Sequence, residues 1–531
     1  LETWTGAPYL AGWPVEASAS FPSSPVLADL DRDGTLEIVI GAKDQKVRVW
    51  HHDGTMADGW PRETGDEIWS SAAVANLDGD PELEIIIGCG DGKVYGWNYD
   101  GTGIRSTDGV FREIGGEVRS VPAFDDVDDD YDLEIFIGSP YGRIYAWHHD
   151  GTGILQGNGL FSQGSGNFNG SPAIADLDKN GDLEIIIGST DGKIYAWNHD
   201  GTGYLESTGV FASPGSIYGS IAVGDLDGNG DMEVVAAGLF WNRVGAFDHD
   251  GTFATGWPQV LDNRVYGSPA LAELDGDGKL DVIVATHGDE FDDSATVYVF
   301  DHFGNPRPGW PQKYESFFYS SPVVGDIDGD GEVEIVMGGT DDRIYAWNAD
   351  GSYVNGWPRY IIYPVYATPA LGDLDDDGDV EVVVAAYDGR IHVFDGSAAY
   401  DVDTMMWPKL CHDLYNSGLY GGPSKAGIPT DKKKTIPEEM VLLGYPSPAF
   451  SNVNIRLGIP STSDGGKVNV DIFDVLGRHV RQVHDGNLEP GYHQLTWDGM
   501  DKHSRRVASG IYFIKASRPG ETKNRKIVLV R

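Results

Sequence analysis

Apolar runs of four to six residues, separated by polar turns rich in Gly and Asp, recur along residues 12 to 420. Runs of that length, rich in Val, Ile and aromatic residues, predict strands, and no long helical pattern interrupts them. One unit reads as a small-residue strand, Ser23-Ser24-Pro25-Val26-Leu27-Ala28, then an acidic loop, then the apolar strand Leu36-Glu37-Ile38-Val39-Ile40. After a tight turn a third strand ends on an aromatic residue. The aromatic positions are Trp50, Trp97, Trp147, Trp197, Phe247, Phe300, Trp347 and Phe394. Asp-Gly pairs follow as hairpin turns, and a fourth segment often carries Gly-Trp-Pro, as at Gly59-Trp60-Pro61, Gly256-Trp257-Pro258 and Gly356-Trp357-Pro358.

Four strands in each unit of about 45 to 50 residues is the arithmetic of a propeller blade. The acidic loops begin at Asp29, Asn76, Asp126, Asp176, Asp225, Glu273, Asp326 and Asp373, so eight blades are expected over residues 1–420. Gly12-Trp13-Pro14 precedes the first loop and Trp407-Pro408 follows the last, one such segment more than eight blades need. Either could complete blade eight, and pairing of Gly12 to Ala17 there would close the ring and cover its edges. Residues 421–437, with Gly421-Gly422-Pro423 and Lys432-Lys433-Lys434, read as a linker. Beyond it, residues 438–531 alternate strands such as Val468 to Phe473 and Ile511 to Ile514 with turns, which suits a small immunoglobulin-like β-sandwich. The expected fold class is all-β throughout.

Composition adds an electrostatic constraint. Of 531 residues 83 are acidic and 38 basic, a net charge of -45, a field that repels nucleic acid and anionic membrane surfaces and attracts cations. No apolar stretch approaches the roughly 18 residues of a membrane span, and Leu1-Glu2-Thr3-Trp4 lacks the character of a signal peptide, as expected of a trimmed chain. Cys89 and Cys411 fall in different repeats and read as buried thiols.

The acids are ordered. Loop one places Asp29, Asp31 and Asp33 at alternate positions, Gly34 at the sharp turn, Thr35 at position seven and Glu37 at position nine. The same five positions hold Asn76, Asp78, Asp80, Glu82 and Glu84 in loop two, and Asp126, Asp128, Asp130, Asp132 and Glu134 in loop three. Loop four has Asp176, Asp178, Asn180, Asp182 and Glu184; loop five has Asp225, Asp227, Asn229, Asp231 and Glu233. Loop six has Glu273, Asp275, Asp277, Lys279 and Asp281; loop seven has Asp326, Asp328, Asp330, Glu332 and Glu334; loop eight has Asp373, Asp375, Asp377, Asp379 and Glu381. Side chains at positions 1, 3, 5 and 9 with the carbonyl at 7 supply the six to eight oxygens that Ca²⁺ takes, and Mg²⁺ tolerates such irregular cages poorly. Up to eight Ca²⁺ are expected, taking the charge from -45 to -29. Loops two, three and six, with Pro81, Tyr131 and Lys279, depart from the pattern and should bind more weakly.

These repeats resemble the FG-GAP/VCBS repeats of integrin-α-like propellers and bacterial surface proteins, over roughly residues 12 to 420. The family loop D-x-D-x-D-G-x-x-D binds Ca²⁺ between the first two strands of a blade; here Glu replaces the last Asp in seven of eight loops. The tail, with Tyr445-Pro446-Ser447-Pro448, Asp474 to Arg478, Trp497-Asp498-Gly499 and Ala508 to Tyr512, resembles FlgD-like Ig domains and the sorting domains of type IX secretion. Ser447 and Ala449 depart from the usual Y-P-N-P-F. Both resemblances imply an exported protein, extracellular or at the cell surface, where millimolar calcium suits weak sites.

On the face opposite the acidic loops, the inner strands start at Pro22, Trp69, Arg119, Asn169, Tyr218, Tyr266, Tyr319 and Tyr366. Ringed around a central mouth they could stack on sugar or clasp a peptide; packing between blades is the alternative. Two loops break the repeat: Leu239-Phe240-Trp241-Asn242, and His287 to Ser294 with Glu290, Asp292 and Asp293. Pairs His51-His52 and His148-His149 precede Asp-Gly and read as turn residues. No G-x-S-x-G, H-E-x-x-H, P-loop or C-x-x-C occurs. The expectation is a non-enzymatic, calcium-stabilised binding, adhesion or scaffold module whose partner is a protein, a glycan or another copy of itself. The alternatives are a filament or surface-layer subunit, a lyase of rhamnogalacturonan-lyase type, and, least supported, a quinone-dependent dehydrogenase.

Overall fold

The computed structural model describes residues 9–17, 19–78, 82–128, 132–288, 294–396, 398–401, 404–413 and 416–420 of one compact unit, Leu1–Pro429. In a second unit, Thr430–Arg531, it describes 441–445, 453–459, 467–475, 477–488, 491–497, 499–503, 505–518 and 521–529. Among these residues there is no α-helix. The expected linker, residues 421–437, lies outside the described residues, as do Tyr131, Pro81, Pro446 to Ala449 and the acids Asp80, Asp130, Glu290, Asp292 and Asp293.

The first unit contains eight antiparallel four-stranded sheets. Blade one runs Val26–Ala28, Glu37–Gly41, Lys46–Trp50 and Arg62–Glu63, with Val26 opposite Val39 and Val39 opposite Val49. Second strands such as Glu84–Gly88 and Glu334–Gly338 are buried along their whole length. Each blade is covered on both faces by its neighbours, so these strands read as unbroken apolar runs. Trp97, Trp147, Trp197 and Trp347 are fully buried, which makes the recurring aromatics core.

Closure uses the N-terminus. Blade eight is ordered Val15–Glu16, Arg390–Phe394, Glu381–Ala385, Ala370–Gly372, with Val15 opposite Ile391. Its inner strand then lies beside that of blade one. A chain of hydroxyl contacts follows the inner strands around the axis. The N–H of Ser171 donates to Ser220 Oγ (2.9 Å), that of Ser220 to Ser268 Oγ (2.9 Å) and that of Ser268 to Ser321 Oγ (2.8 Å). Ser321 donates to Thr368 Oγ1 (3.0 Å), Thr368 to Ser24 Oγ (3.0 Å) and Ser24 to Ser71 Oγ (2.8 Å). At blade three Val121 stands in the hydroxyl position.

Gly-Trp-Pro hydrogen-bonds four of the five blades that carry it to the next, and in the fifth Trp357 packs edge-on against Phe394, with ring centroids 5.8 Å apart. Nε1 of Trp13, Trp60, Trp257 and Trp310 donates to the carbonyls of His52, Tyr99, His302 and Ala349, at 2.6 to 2.9 Å. The Gly is needed there: Gly309 has φ +88° and a Cβ would meet the Asp350 carbonyl at 1.8 Å.

Trp407-Pro408 does not complete blade eight. It enters the axis, where Trp407 exchanges two backbone hydrogen bonds of 2.9 Å with Val324 and Pro408 O accepts from Leu371 N. The chain turns back after Lys409, with Gly418 N donating to Cys411 O, and beyond the turn Ser417 O accepts from Ile174 N and Gly418 O from Val223 N. Asn416 Nδ2 donates to the carbonyls of Ala72 and Pro122. The hairpin thus plugs the channel and hydrogen-bonds inner strands that would otherwise face an empty axis. Cys411 is buried within it and Cys89 in blade two, both as free thiols.

The C-terminal unit has one sheet of Val441–Tyr445, Val453–Ile459 and Gly491–Trp497, and another ordered His479–Asn487, Lys467–Asp474, Gly510–Arg518, Glu521–Leu529. Val453, Ile455, Leu457 and Ile459 from one and Val468, Val470, Ile472, Ile514 and Ile527 from the other share one core with Trp497. Alternation of buried and more exposed residues along Lys467–Asp474 and Gly510–Arg518 turns one face of that sheet to the shared core, as in a two-sheet sandwich.

Candidate cation loops and the axial mouth

Each acidic loop joins the first two strands of a blade, so position nine is already part of the buried second strand. Glu37, Glu84, Glu134, Glu184, Glu233, Asp281, Glu334 and Glu381 are all at most 3% exposed. One carboxylate oxygen of each accepts the backbone N–H of position two, at 2.9 Å for Leu30 on Glu37, 2.8 Å for Leu177 on Glu184, and 2.9 Å for Ile327 on Glu334. The other oxygen of Glu184, Glu334 and Glu381 is buried with no hydrogen-bond partner, and so is Oδ1 of Asp29, Asp225 and Asp373 at position one. Burying such oxygens unpaired is costly.

The turn itself is wound by its own acids. Asp176 Oδ2 accepts the N–H of Gly181 (3.0 Å), Asp178 that of Asn180 (3.1 Å), and Asn180 Oδ1 that of Asp182 (2.6 Å). Loops one, five, seven and eight repeat the bond from position six to position one, as Gly34 to Asp29, Gly230 to Asp225, Gly331 to Asp326 and Gly378 to Asp373. Asp31, Asp227 and Asp328 each accept the N–H of position five, as Asp178 does. Position five accepts that of position seven from Thr35 to Asp33, Asp231 to Asn229, Glu332 to Asp330 and Asp379 to Asp377. Asp176, Asp178 and Glu184 bring one oxygen each within 4.8 Å of one another, as do Asp225, Asp227 and Glu233, and Asp29, Asp31 and Asp33.

Without a counter-ion this packing raises proton affinity. Burial, the largest cause, pushes Glu184, Glu233, Glu334 and Glu381 up to about 8 and Glu37 up to about 7, although the accepted N–H bond pulls each down. Asp176, Asp225, Asp328 and Asp373 are raised by burial too. Unpaired buried oxygens, clustered carboxylates and raised proton affinity together fit a hard divalent cation.

The loops are not equivalent. In loop six the Arg307 guanidinium contacts Asp275 and lies 3.6 Å from Asp281, so a side-chain cation already balances the acids; Glu273 bends back to accept the N–H of Asp275 (3.0 Å), and Lys279 Nζ lies against His302. Asp281 is raised to about 7, burial prevailing over Arg307. The fit of an ion there is poor, and no motif within the loop announces Arg307, 26 residues beyond Asp281. In loops one and three the turn histidines reach the site: His51 Nδ1 lies 3.1 Å from Glu37 Oε1 and His148 Nδ1 3.0 Å from Glu134 Oε1. Spacing from the third-strand Trp was the available signal, since the residue after Trp50 and Trp147 faces the loop. In loop three Asp128, Glu134 and His148 bring one ligand atom each within 4.8 Å of one another.

At the opposite end of the axis, Pro22, Trp69, Arg119, Asn169, Tyr218, Tyr266, Tyr319 and Tyr366 do converge, lining one cavity of about 160 Å³ with Leu410 of the plug. Their contacts make a circuit. Ring centroids of Tyr218 and Tyr266 lie 5.6 Å apart, Tyr266 and Tyr319 5.4 Å, Tyr319 and Tyr366 4.9 Å, and Tyr366 and Tyr387 4.8 Å. Lys43 Nζ donates to Tyr387 Oη (3.0 Å) and sits 4.3 Å over Trp69, Arg119 stacks at 4.6 Å on Trp69, and its Nη1 donates to Tyr218 Oη (3.0 Å). Tyr387 and Lys43 were missed because they lie on the turn between second and third strands. Inter-blade packing and a shaped mouth are thus the same set of contacts. Of the irregular loops, Trp241 stacks on Phe247 and Phe253 of its own blade, while Phe240 is 72% exposed.

A family model described as FG-GAP-like repeat matches residues 29–87, 126–187, 181–236, 273–337 and 326–384, and one described as FlgD Ig-like domain matches 449–521. Four of the five repeat matches start on the first acid of a loop. No curated protein matches the chain. Among solved structures it is similar to BBS1N in complex with ARL6DN, at 13% identity over 75% of this chain and 100% of that one, with TM-score 0.43. It is also similar to the quinohemoprotein alcohol dehydrogenase ADHIIG of Pseudomonas putida HK5, at 13% identity, 75% and 77% coverage and TM-score 0.48. The V. cholerae biofilm matrix protein Bap1 is a third, at 13% identity, 72% and 77% coverage and TM-score 0.33.

Proposed function

The chain belongs to the FG-GAP-like repeat family and ends in a FlgD Ig-like domain, and from that premise we propose that it is an exported, calcium-stabilised, non-enzymatic module that binds a partner or serves as a scaffold. The observation that carries the calcium part is the set of buried carboxylate oxygens without partners at loop positions one and nine, on Asp29, Asp225, Asp373, Glu184, Glu334 and Glu381. Ca²⁺ held by positions 1, 3, 5 and 9 and the carbonyl of position 7 would satisfy them and fasten the first two strands of those blades, while Arg307 takes that part in loop six. The ions are fasteners of the scaffold; a partner would meet the face opposite them. An extracellular or cell-surface location follows, since millimolar calcium can fill sites of modest affinity.

Melting with and without chelator tests this. Binding of n ions raises stability by mass action, so a melting temperature unchanged by chelator, with no Ca²⁺ bound in dialysis, would sink the proposal. Light scattering of the Ca²⁺-loaded chain separates a monomeric binding module from a self-assembling subunit.

A further inference from the structure

We infer that the axial mouth binds an acidic saccharide, one pyranose ring entering the collar with its carboxylate toward Lys43; this deepens the binding-module reading and rests on it. The plug makes the mouth a blind pocket, because Leu410 floors it and the channel below is filled. At about 160 Å³ it is smaller than the 300–1,000 Å³ of drug-sized sites, so it takes one ring, not a helix or a folded partner. Its wall is an arc of tyrosines whose ring faces and hydroxyls supply the apolar and polar contacts that a sugar presents on its two faces.

Charge selects the class of sugar. The chain carries only 38 cations against 83 acids, yet Lys43 and Arg119 both stand at this rim, over the ring of Trp69. Arg119 is engaged by Glu117 at 2.7 Å and by Tyr218. Lys43 is held by Tyr387, while its nearest carboxylate, Glu67, is 4.0 Å away and 44% exposed. An ammonium has three donors, so Lys43 keeps capacity for a ligand carboxylate beside the Trp69 face. A peptide would need an extended groove for its backbone, and the mouth offers a closed ring.

The test is calorimetric titration of the full chain in Ca²⁺ with a glucuronate-bearing hyaluronan hexasaccharide, neutral chitohexaose and a lysine hexapeptide. Binding of the first, weakened by added salt, is expected. Lys43→Met should lower that affinity about tenfold, or roughly 1.4 kcal/mol, and Tyr319→Ala, at an exposed ring, should lower it at least as much. Equal binding of chitohexaose, preference for the lysine peptide, no binding of the acidic saccharide, or unchanged affinity in both variants would each overturn the inference. Repeating the titration in chelator separates the two readings: saccharide binding without any Ca²⁺ response retains this inference and removes the calcium one, and the reverse result does the opposite.

Discussion

If Ca²⁺ occupies loops one, four, five, seven and eight, each ion must displace the proton that burial places on position nine. Proton release therefore measures the site. In the metal-free protein Glu184, Glu233, Glu334 and Glu381 titrate at about 8 and Glu37 at about 7. At pH 7 each of the first four then carries about 0.9 of a proton and Glu37 about half, so filling loops one, four, five, seven and eight should release about four protons. At pH 9 the same filling should release under about half a proton in all. Titration calorimetry in PIPES and in Tris, whose ionisation enthalpies differ, reads this directly. The sign for stability follows by linkage. These carboxylates have folded values above their unfolded value of 4.5, so the metal-free fold is most stable below about pH 4.5 from this source and loses stability as pH rises toward 8. Ca²⁺ affinity moves the other way, rising with pH until position nine is ionised. The gap in melting temperature between Ca²⁺ and chelator should widen from pH 5 to 8. Ca²⁺ binding with no proton release at pH 7 would refute the assignment of position nine as a buried ligand.

Three further outcomes follow from single contacts. Glu334→Gln keeps an acceptor for the Ile327 N–H but removes the charge, so it should leave chelated protein as stable or more so at pH 8 and cut bound Ca²⁺ by about one ion in dialysis. Arg307→Gln removes the guanidinium beside Asp275 and Asp281; melting should fall in chelator through uncompensated buried charge and recover in Ca²⁺ as loop six becomes available. Trp310→Phe loses the bond to Ala349 while keeping most of the packed volume, and should cost about 1 kcal/mol in reversible denaturation, with no change in Ca²⁺ stoichiometry.

Much of the blade was legible because its instructions are local. Strand, acidic loop, strand and hairpin lie within one repeat, and the fully buried second strands announce their two covered faces by unbroken apolar runs. The Gly-Trp-Pro segment was visible as a motif but not as a tie, because its acceptor lies about 40 residues on, in the next blade. The Asp-Gly that follows them marks the histidines as turn residues, which they are; that His51 and His148 also reach Glu37 and Glu134 depends on how the second and third strands pair.

The sequence by itself determined an all-β chain of eight repeated sheets, the loops that concentrate carboxylates, and a separate C-terminal sandwich, since each is encoded by periodicity and spacing within a few tens of residues. Tertiary structure alone decided which end closes the ring, that Trp407 and Pro408 plug the axis, that Arg307 balances loop six, and that Tyr387 and Lys43 join the collar. Those outcomes turn on pairing between residues as far apart as Val15 and Ile391. Two segments there offered the same local pattern, and only the competition for one blade edge and one empty channel, each lined with backbone groups that must be hydrogen-bonded, could assign them.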